Sequence, residues 1–250
     1  SWLYYSDRLL EFPLGLFGIA IATVILPTLS QNHVSKDKHA FSLNIDWAFR
    51  IIALLGIPAG AALFILAMPL MLVIFQRGAF TVDTAHMASL SLMAYATGLF
   101  GFMLVKIFAP AFYARQDTKT PVKYGIITMA ANMVFNLILA VPFGYVGLAM
   151  ATAISGITNA VLLYRRLAFL NVYKIGSDTW WFLAKIVVAT IIMMVSVYFY
   201  SSQLPWLDSS FTQRVQYLTI SIIIGLFSYL FAILIAGIRP AQLIGQNVTK

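Results

Sequence analysis

The chain alternates between seven long runs of hydrophobic residues and short polar or charged connections. Each run has about the 20 residues that a helix needs to cross the roughly 30 Å hydrocarbon core of a bilayer. The runs cover residues 12–30, 51–75, 84–113, 122–141, 144–164, 180–200 and 215–237. The pattern therefore predicts an all-α, polytopic membrane helix bundle with seven transmembrane helices, preceded by a short stub.

The composition supports a membrane protein and argues against an enzyme. Hydrophobic residues make up 61% of the chain and charged residues 10%, whereas soluble domains have roughly 45–50% and about 25%. The absence of cysteine excludes disulfides, thiolate metal sites and cysteine nucleophiles, and three scattered histidines do not favour a histidine-built metal site. Neither HExxH, G-x-S-x-G nor a P-loop occurs in the chain. No catalytic residues are predicted.

The basic residues responsible for the net charge of +8 are concentrated in every other connection. Basic residues fall in the connections at 31–50, 115–123 and 165–174 and in the tail from 239, while the connections at 76–83, 141–144 and 201–214 are close to neutral. Because cytoplasmic loops carry the excess of Lys and Arg, this alternation predicts a cytoplasmic C-terminus. Membrane topology thus accounts for most of the positive charge, and no nucleic-acid partner is predicted.

A long-range repeat links two of the runs. Residues 12–25 align without gaps on residues 141–154, with Pro, Gly, Ala and Thr at shared positions. One interpretation is a parallel repeat of the kind found in transporter halves. The other is that Gly18-x-x-x-Ala22 and Gly147-x-x-x-Ala151 are ordinary small-residue packing faces, which let helix backbones approach closely in lipid.

Few ionisable residues lie in or beside the runs, and these are the candidates for function. Asp7, Arg8 and Glu11 precede the first run, and Arg8 and Glu11 are one helical turn apart. They could form an interfacial anchor or line a polar cavity. Lys106 lies deep in the third run, where it could face a cavity or extend towards the cytoplasm.

Three neutral polar residues form a second candidate site. Asn132 and Asn136 are one turn apart, and Thr152 is in the next predicted helix. Their oxygens could bind a cation or form hydrogen bonds between helices.

Two stretches, residues 1–30 and 106–122, resemble the MurJ (MviN) family of lipid II flippases, within the multidrug/oligosaccharidyl-lipid/polysaccharide exporter superfamily. Residues 75–80 resemble a further motif of that family. The family has fourteen transmembrane helices, so the resemblance implies that this chain holds the end of the seventh helix and helices eight to fourteen. Residues 1–175 would be the C-lobe and residues 176–250 a final helix pair flanking a lipid-tail groove, followed by a cytoplasmic tail. The chain has no initiator Met, and we expect it to be part of a longer protein with a missing N-terminal lobe.

The resemblance also implies roles for the candidate residues. Arg8 would bind the pyrophosphate of lipid II, with Asp7, Glu11 and Lys106 in the same cavity. Asn132, Asn136 and Thr152 fall where some members bind sodium, but Asn136 replaces a carboxylate there. The implied function is alternating-access transport of lipid II across the bacterial inner membrane in peptidoglycan biosynthesis, with membrane lipids as partners. Coupling would be to sodium or the membrane potential, and no other cofactor is implied.

Two other classes of function remain open from the sequence. One is a different exporter of the superfamily, such as a polysaccharide-lipid flippase or a cation-coupled drug exporter. The other is a membrane scaffold that transports nothing.

Overall fold

The computed structural model describes residues 2–76 and 80–238, and this part of the chain is built from helices without strands. The bounds are α1 Trp2–Pro13, α2 Ala20–Val34, α3 Lys38–Ile65, α4 Ala67–Ile74, α5 Val82–Ala96, α6 Leu99–Tyr113, α7 Lys119–Phe169, α8 Ser177–Ser201 and α9 Phe211–Ile235. The basic tail and the middle of the 75–80 motif lie outside the described residues. The predicted all-α membrane bundle is confirmed.

The first span is longer than the sequence predicted. A π-helical segment, Leu14–Ile19, joins α1 to α2, so one helix runs over Trp2–Val34. Pro13 has no N–H to continue the α-helical hydrogen bonds, and the wider π-helical turns follow it directly. The residues expected to form a separate stub are therefore the first turns of this span.

The second and third spans are each made of two helices. The second consists of α3 and α4, which meet at Leu66. In the third, α5 and α6 are bent by 41° at residues 97 and 98. A Cβ at Gly98 would lie 2.6 Å from Cα of Ala153, so the bend is a point of close approach between this span and α7.

Helix α7 is a hairpin rather than one 51-residue rod. Gly144 has φ 56° and ψ −131°, a conformation that L side chains disfavour, and the chain reverses there. Arg166 is close enough to interact electrostatically with the carboxylate of Asp117, so the two ends of the hairpin lie near each other. Each arm has about 25 residues, enough to cross a bilayer. Counting both arms, the described chain forms the seven spans that the sequence predicted.

The last two helices pack against each other, and their hydrophobic core also includes residues of α3 and α4. Ile186, Met193 and Val197 of α8 pack with Leu218 and Tyr229 of α9. The pair is also fixed to α3, because the Tyr229 hydroxyl donates a 2.6 Å hydrogen bond to the carbonyl of Leu54.

Three basic connections converge at one end of the bundle. Lys36 of the α2–α3 connection, Arg115 of the α6–α7 connection and Asn171 of the α7–α8 connection line one polar cavity. At a neutral connection, Arg214 donates hydrogen bonds to Gln76 and to the Leu207 carbonyl. The fold thus brings together the connections that the sequence grouped by charge.

A half-buried carboxylate ties α3 to the start of α8. Asp46 accepts hydrogen bonds from Arg50 Nε at 2.7 Å, Thr179 Oγ1 at 2.8 Å and the Tyr173 hydroxyl at 2.9 Å. Burial, and after it the charge of Asp46, raises the pKa of Tyr173, which therefore remains a donor. These hydrogen bonds connect α3 with the α7–α8 connection and with α8.

The Asp46→Asn variant should lose about 2–4 kcal/mol of stability, because Arg50 and the buried Tyr173 hydroxyl would lose a charged acceptor. The midpoint of thermal unfolding in detergent measures the loss. Asp178→Asn is the matched control, since Asp178 is exposed and bonds to none of these donors. Equal midpoints for the two variants would contradict the role assigned to Asp46.

Candidate substrate site

The packing of α1 on α5 fixes which residues of α1 are exposed. Ser6 is fully buried, and its hydroxyl donates a 2.7 Å hydrogen bond to the carbonyl of Ala88. Leu10 is buried one turn later. Two residues along a helix correspond to a rotation of about 200°, so Arg8 lies on the face opposite Ser6 and is exposed.

Arg8 has guanidinium donors that remain open to a ligand. Its Nη1 contacts Glu11 Oε2 at 2.8 Å, and the two side chains are 56% and 52% exposed. The guanidinium also lies 5.1 Å from the ring centroid of Tyr4. The contacts to Glu11 and Tyr4 still leave guanidinium donors for a ligand, because the group has five N–H donors. An exposed pair of this kind is weak, so a phosphate can compete with Glu11 for Arg8.

A tyrosine that the sequence did not single out lies beside this site. Tyr95 of α5 is within interaction range of both Asp7 and Thr152. It therefore lies near both α1 and the second arm of the α7 hairpin. Tyr95 falls inside an apolar run, and nothing in the pattern separates it from the other aromatic residues.

Lys106 does not lie beside the Arg8–Glu11 pair. Its Cγ lies 3.5 Å from the place of a Cβ at Gly18, so the stem of the lysine packs on the π-helical segment. Gly18 is about 15 Å along the helix from Arg8. Lys106 is exposed, and the two cations occupy different levels of the bundle.

The polar residues of α7 are only partly brought together. The Asn136 amide donates a 3.1 Å hydrogen bond to Asn132 Oδ1, and Asn136 Oδ1 is buried without a partner. The Thr152 hydroxyl donates to the Leu148 carbonyl at 3.0 Å. Among the described residues, no hydrogen bond joins Thr152 to the Asn pair. No cluster of three His, Cys, Asp or Glu side chains that could hold a metal occurs there either.

An apolar groove lies between α8 and helices α3, α6 and α7. Two adjoining cavities of about 420 and 370 Å³ share Thr97 and Phe100 at the α5–α6 bend. Helices α3, α6, α7 and α8 contribute the walls; α8 contributes Trp180 and Leu183 to one cavity and Met194 to the other. The stretch from Trp180 to Met194 is about 20 Å long, which is most of the thickness of a bilayer's hydrocarbon core.

Comparisons with known proteins identify the family. The family model described as lipid II flippase MurJ matches residues 1–217. A protein of Vibrio cholerae named "Probable lipid II flippase MurJ" is 50% identical over 97% of this chain and 46% of its own length. A Haemophilus influenzae protein of the same name is 48% identical over 99% of this chain and 50% of its own length.

The solved structures include a similar fold. A structure titled "Lipid II flippase MurJ, inward closed conformation" superposes with a TM-score of 0.79 at 25% identity, over 94% of this chain and 46% of that one. The chain therefore spans about half the length of the relatives it matches. The resemblance seen in the sequence is confirmed: this chain belongs to the MurJ family of lipid II flippases.

Proposed function

We propose that this chain is the C-terminal part of a flippase that carries lipid II across the bacterial inner membrane by alternating access. The observation that carries the proposal is Arg8, an exposed guanidinium with unused donors, in a chain whose relatives are named lipid II flippases. Transport of this kind breaks no covalent bond, so the protein has no catalytic residues. The N-terminal lobe of the complete protein would supply the other wall of the cavity.

Arg8 would bind the pyrophosphate of lipid II. A guanidinium presents paired donors to phosphate oxygens and remains charged when partly desolvated. Glu11 would orient Arg8 when no substrate is bound and release it when a phosphate displaces it, and Asp7 would add a negative charge beside Arg8 in the same cavity. Lys106, at another level of the bundle, would contact a different part of the substrate.

The apolar groove along α8 would hold the undecaprenyl tail. This assignment agrees with a division into residues 1–175, the C-lobe, and residues 176–250, the final helix pair, because α3, α6 and α7 of the first part and α8 of the second line the groove. An almost entirely apolar lining suits a hydrocarbon chain, since burying it in the groove or in lipid costs nearly the same.

We assign Asn132, Asn136 and Thr152 to hydrogen bonding within and between helices rather than to sodium binding. The membrane potential would then be the source of energy for transport. Asn132 Oδ1 already accepts from Asn136, and neutral oxygens bind a cation more weakly than a carboxylate does. Equal flipping rates in sodium and in potassium buffers support this assignment. A rate that requires sodium would instead make Asn136 Oδ1 a ligand.

Reconstitution of the complete protein tests the proposed function against the other exporters of the superfamily. Purified protein in vesicles should flip lipid II, and should neither flip a polysaccharide-linked undecaprenyl lipid nor export cationic drugs. Transport of either alternative without lipid II would assign the chain to another branch. A protein that moves none of the three would be a scaffold.

The alternation of basic connections predicts the orientation in the membrane. In a cysteine-free form of the complete protein, an impermeant maleimide applied to intact cells should label Ser209→Cys, in the α8–α9 connection, but not Ser177→Cys, at the start of α8. Permeabilised cells serve as the control, where both should be labelled. The reverse pattern in intact cells would invert the proposed topology.

A further inference from the structure

The polar cavity at the basic end of the bundle has the size of a ligand site. It encloses about 340 Å³, within the range of about 300–1,000 Å³ typical of small-molecule pockets. Its walls come from the end of α2, the start of α3 and the three basic connections. It is also remote from Arg8, because Asn32 in its wall is about 35 Å further along the same helix.

The charge around this cavity is positive and unpaired. Lys36, Lys38 and Arg115 line it, and Asp37 is the one carboxylate in the lining. Asp37 Oδ1 caps α3 by accepting a 2.9 Å hydrogen bond from the Ala40 N–H. Neither of the ion pairs found in the described residues includes any of the three cations.

Two donors in the cavity wall have no acceptor in the described part of the protein. Arg115 Nη1 and Asn32 Nδ2 are buried and, within the described chain, form no hydrogen bond. Asp117 is close enough to interact with the charge of Arg115, but its two oxygens accept from the Thr120 N–H at 3.0 Å and hydroxyl at 2.7 Å. Buried donors without acceptors are costly, above all on a charged group.

Membrane topology explains why these connections are basic. It does not explain why the buried donors of Arg115 and Asn32 in the cavity wall have no acceptor in the described protein. We propose that the cavity binds a phosphate-class anion, held by the Arg115 guanidinium and the Lys36 and Lys38 ammonium groups. Arginine offers paired donors to two phosphate oxygens, and lysine adds point charges beside it. The phosphate would come from the headgroup of an anionic phospholipid or from a free phosphate in the cytoplasm.

The test compares charge-matched variants of the complete protein. The site variant carries Lys36→Gln and Arg115→Gln, and the control carries Lys123→Gln and Arg165→Gln, two exposed cations that do not line the cavity. A second site variant, Lys36→Gln with Lys38→Gln, changes only exposed residues and covers the case in which loss of Arg115 prevents folding. One arm measures phosphatidylglycerol retained from mixed phosphatidylglycerol/phosphatidylcholine nanodiscs. The other measures inorganic phosphate binding in neutral detergent by equilibrium dialysis.

We expect wild type and control to bind alike, and either site variant to bind at least tenfold more weakly in one arm or both. A loss confined to the phosphatidylglycerol arm identifies a lipid headgroup as the source. A loss in the phosphate arm identifies a site that accepts the free anion. Equal binding by site and control variants in both arms, or no binding by wild type in either, would overturn the proposal. Lys36, Lys38 and Arg115 would then serve only to set the membrane topology.

Discussion

Replacing Arg8 with alanine is expected to abolish lipid II translocation by the complete flippase while the protein remains folded in the membrane. The side chain is exposed, and the partners it has in the described chain, Glu11 and the Tyr4 ring, are on its own helix; exposed contacts of this kind add little stability. Its removal should therefore leave the bundle intact. Loss of a charge-assisted contact to the pyrophosphate should weaken binding roughly ten- to a hundredfold.

The lysine variant separates the two interpretations of Arg8. An interfacial anchor needs only a long side chain with a positive charge, so Arg8→Lys would then behave as wild type. A pyrophosphate ligand needs the planar guanidinium, so Arg8→Lys should flip lipid II visibly more slowly. Binding and flipping at matched expression decide between them, with Arg165→Ala, another exposed arginine, as the control. Wild-type flipping by Arg8→Ala would remove this residue from the mechanism.

The membrane fold could be predicted because it depends on run length and on charge. Both properties act locally: a run of about 20 apolar residues must be helical in lipid, and loop charge selects the side of the membrane. Lys36, Arg115 and Asn171 lie far apart in sequence, yet their meeting follows from the order of the connections. The hairpin at Gly144 was likewise marked by Pro142 and Gly144 between two runs.

The side-chain partners could not be predicted in the same way. Asp46 and Thr179 are in contact across the bundle, and no local pattern links a charge near one helix start with a threonine near another. Tyr95 is part of an apolar run, and only the packing of α1 and α7 on α5 gives it polar neighbours. Such contacts depend on helix rotation, which a binary pattern fixes only approximately.

The repeat shows that residues at equivalent positions of similar sequences can have different structural roles. Gly15 and Gly144 occupy equivalent positions in the aligned segments. Gly15 lies in the π-helical segment of a continuous span, while Gly144 has positive φ and reverses the chain. Whether Pro-x-Gly continues or ends a helix is decided by what packs around it, so the shared residues predicted similar packing but not the turn.

The Gly147→Ala variant should fail to form the native hairpin. A Cβ at this position would lie 2.1 Å from the carbonyl oxygen of Leu139 and 2.5 Å from its carbon. These are backbone atoms of the opposite arm, so no side-chain rotation can relieve the clash, and the arms would have to separate. Overpacking that moves backbone typically costs about 1–3 kcal/mol or more, and here it acts at the turn that closes the hairpin.

Gly18 is the matched control, because the repeat places it at the equivalent position. A Cβ there would meet side-chain atoms of Leu14, Lys106 and Met103 at 3.4–3.9 Å, which is ordinary van der Waals contact. Gly18→Ala should therefore unfold at nearly the wild-type temperature, while Gly147→Ala should express poorly or unfold well below it. Measurement of both midpoints in detergent checks the difference. Equal tolerance at the two positions would mean that the arms are not in contact at this turn, and that both glycines serve only as small packing residues.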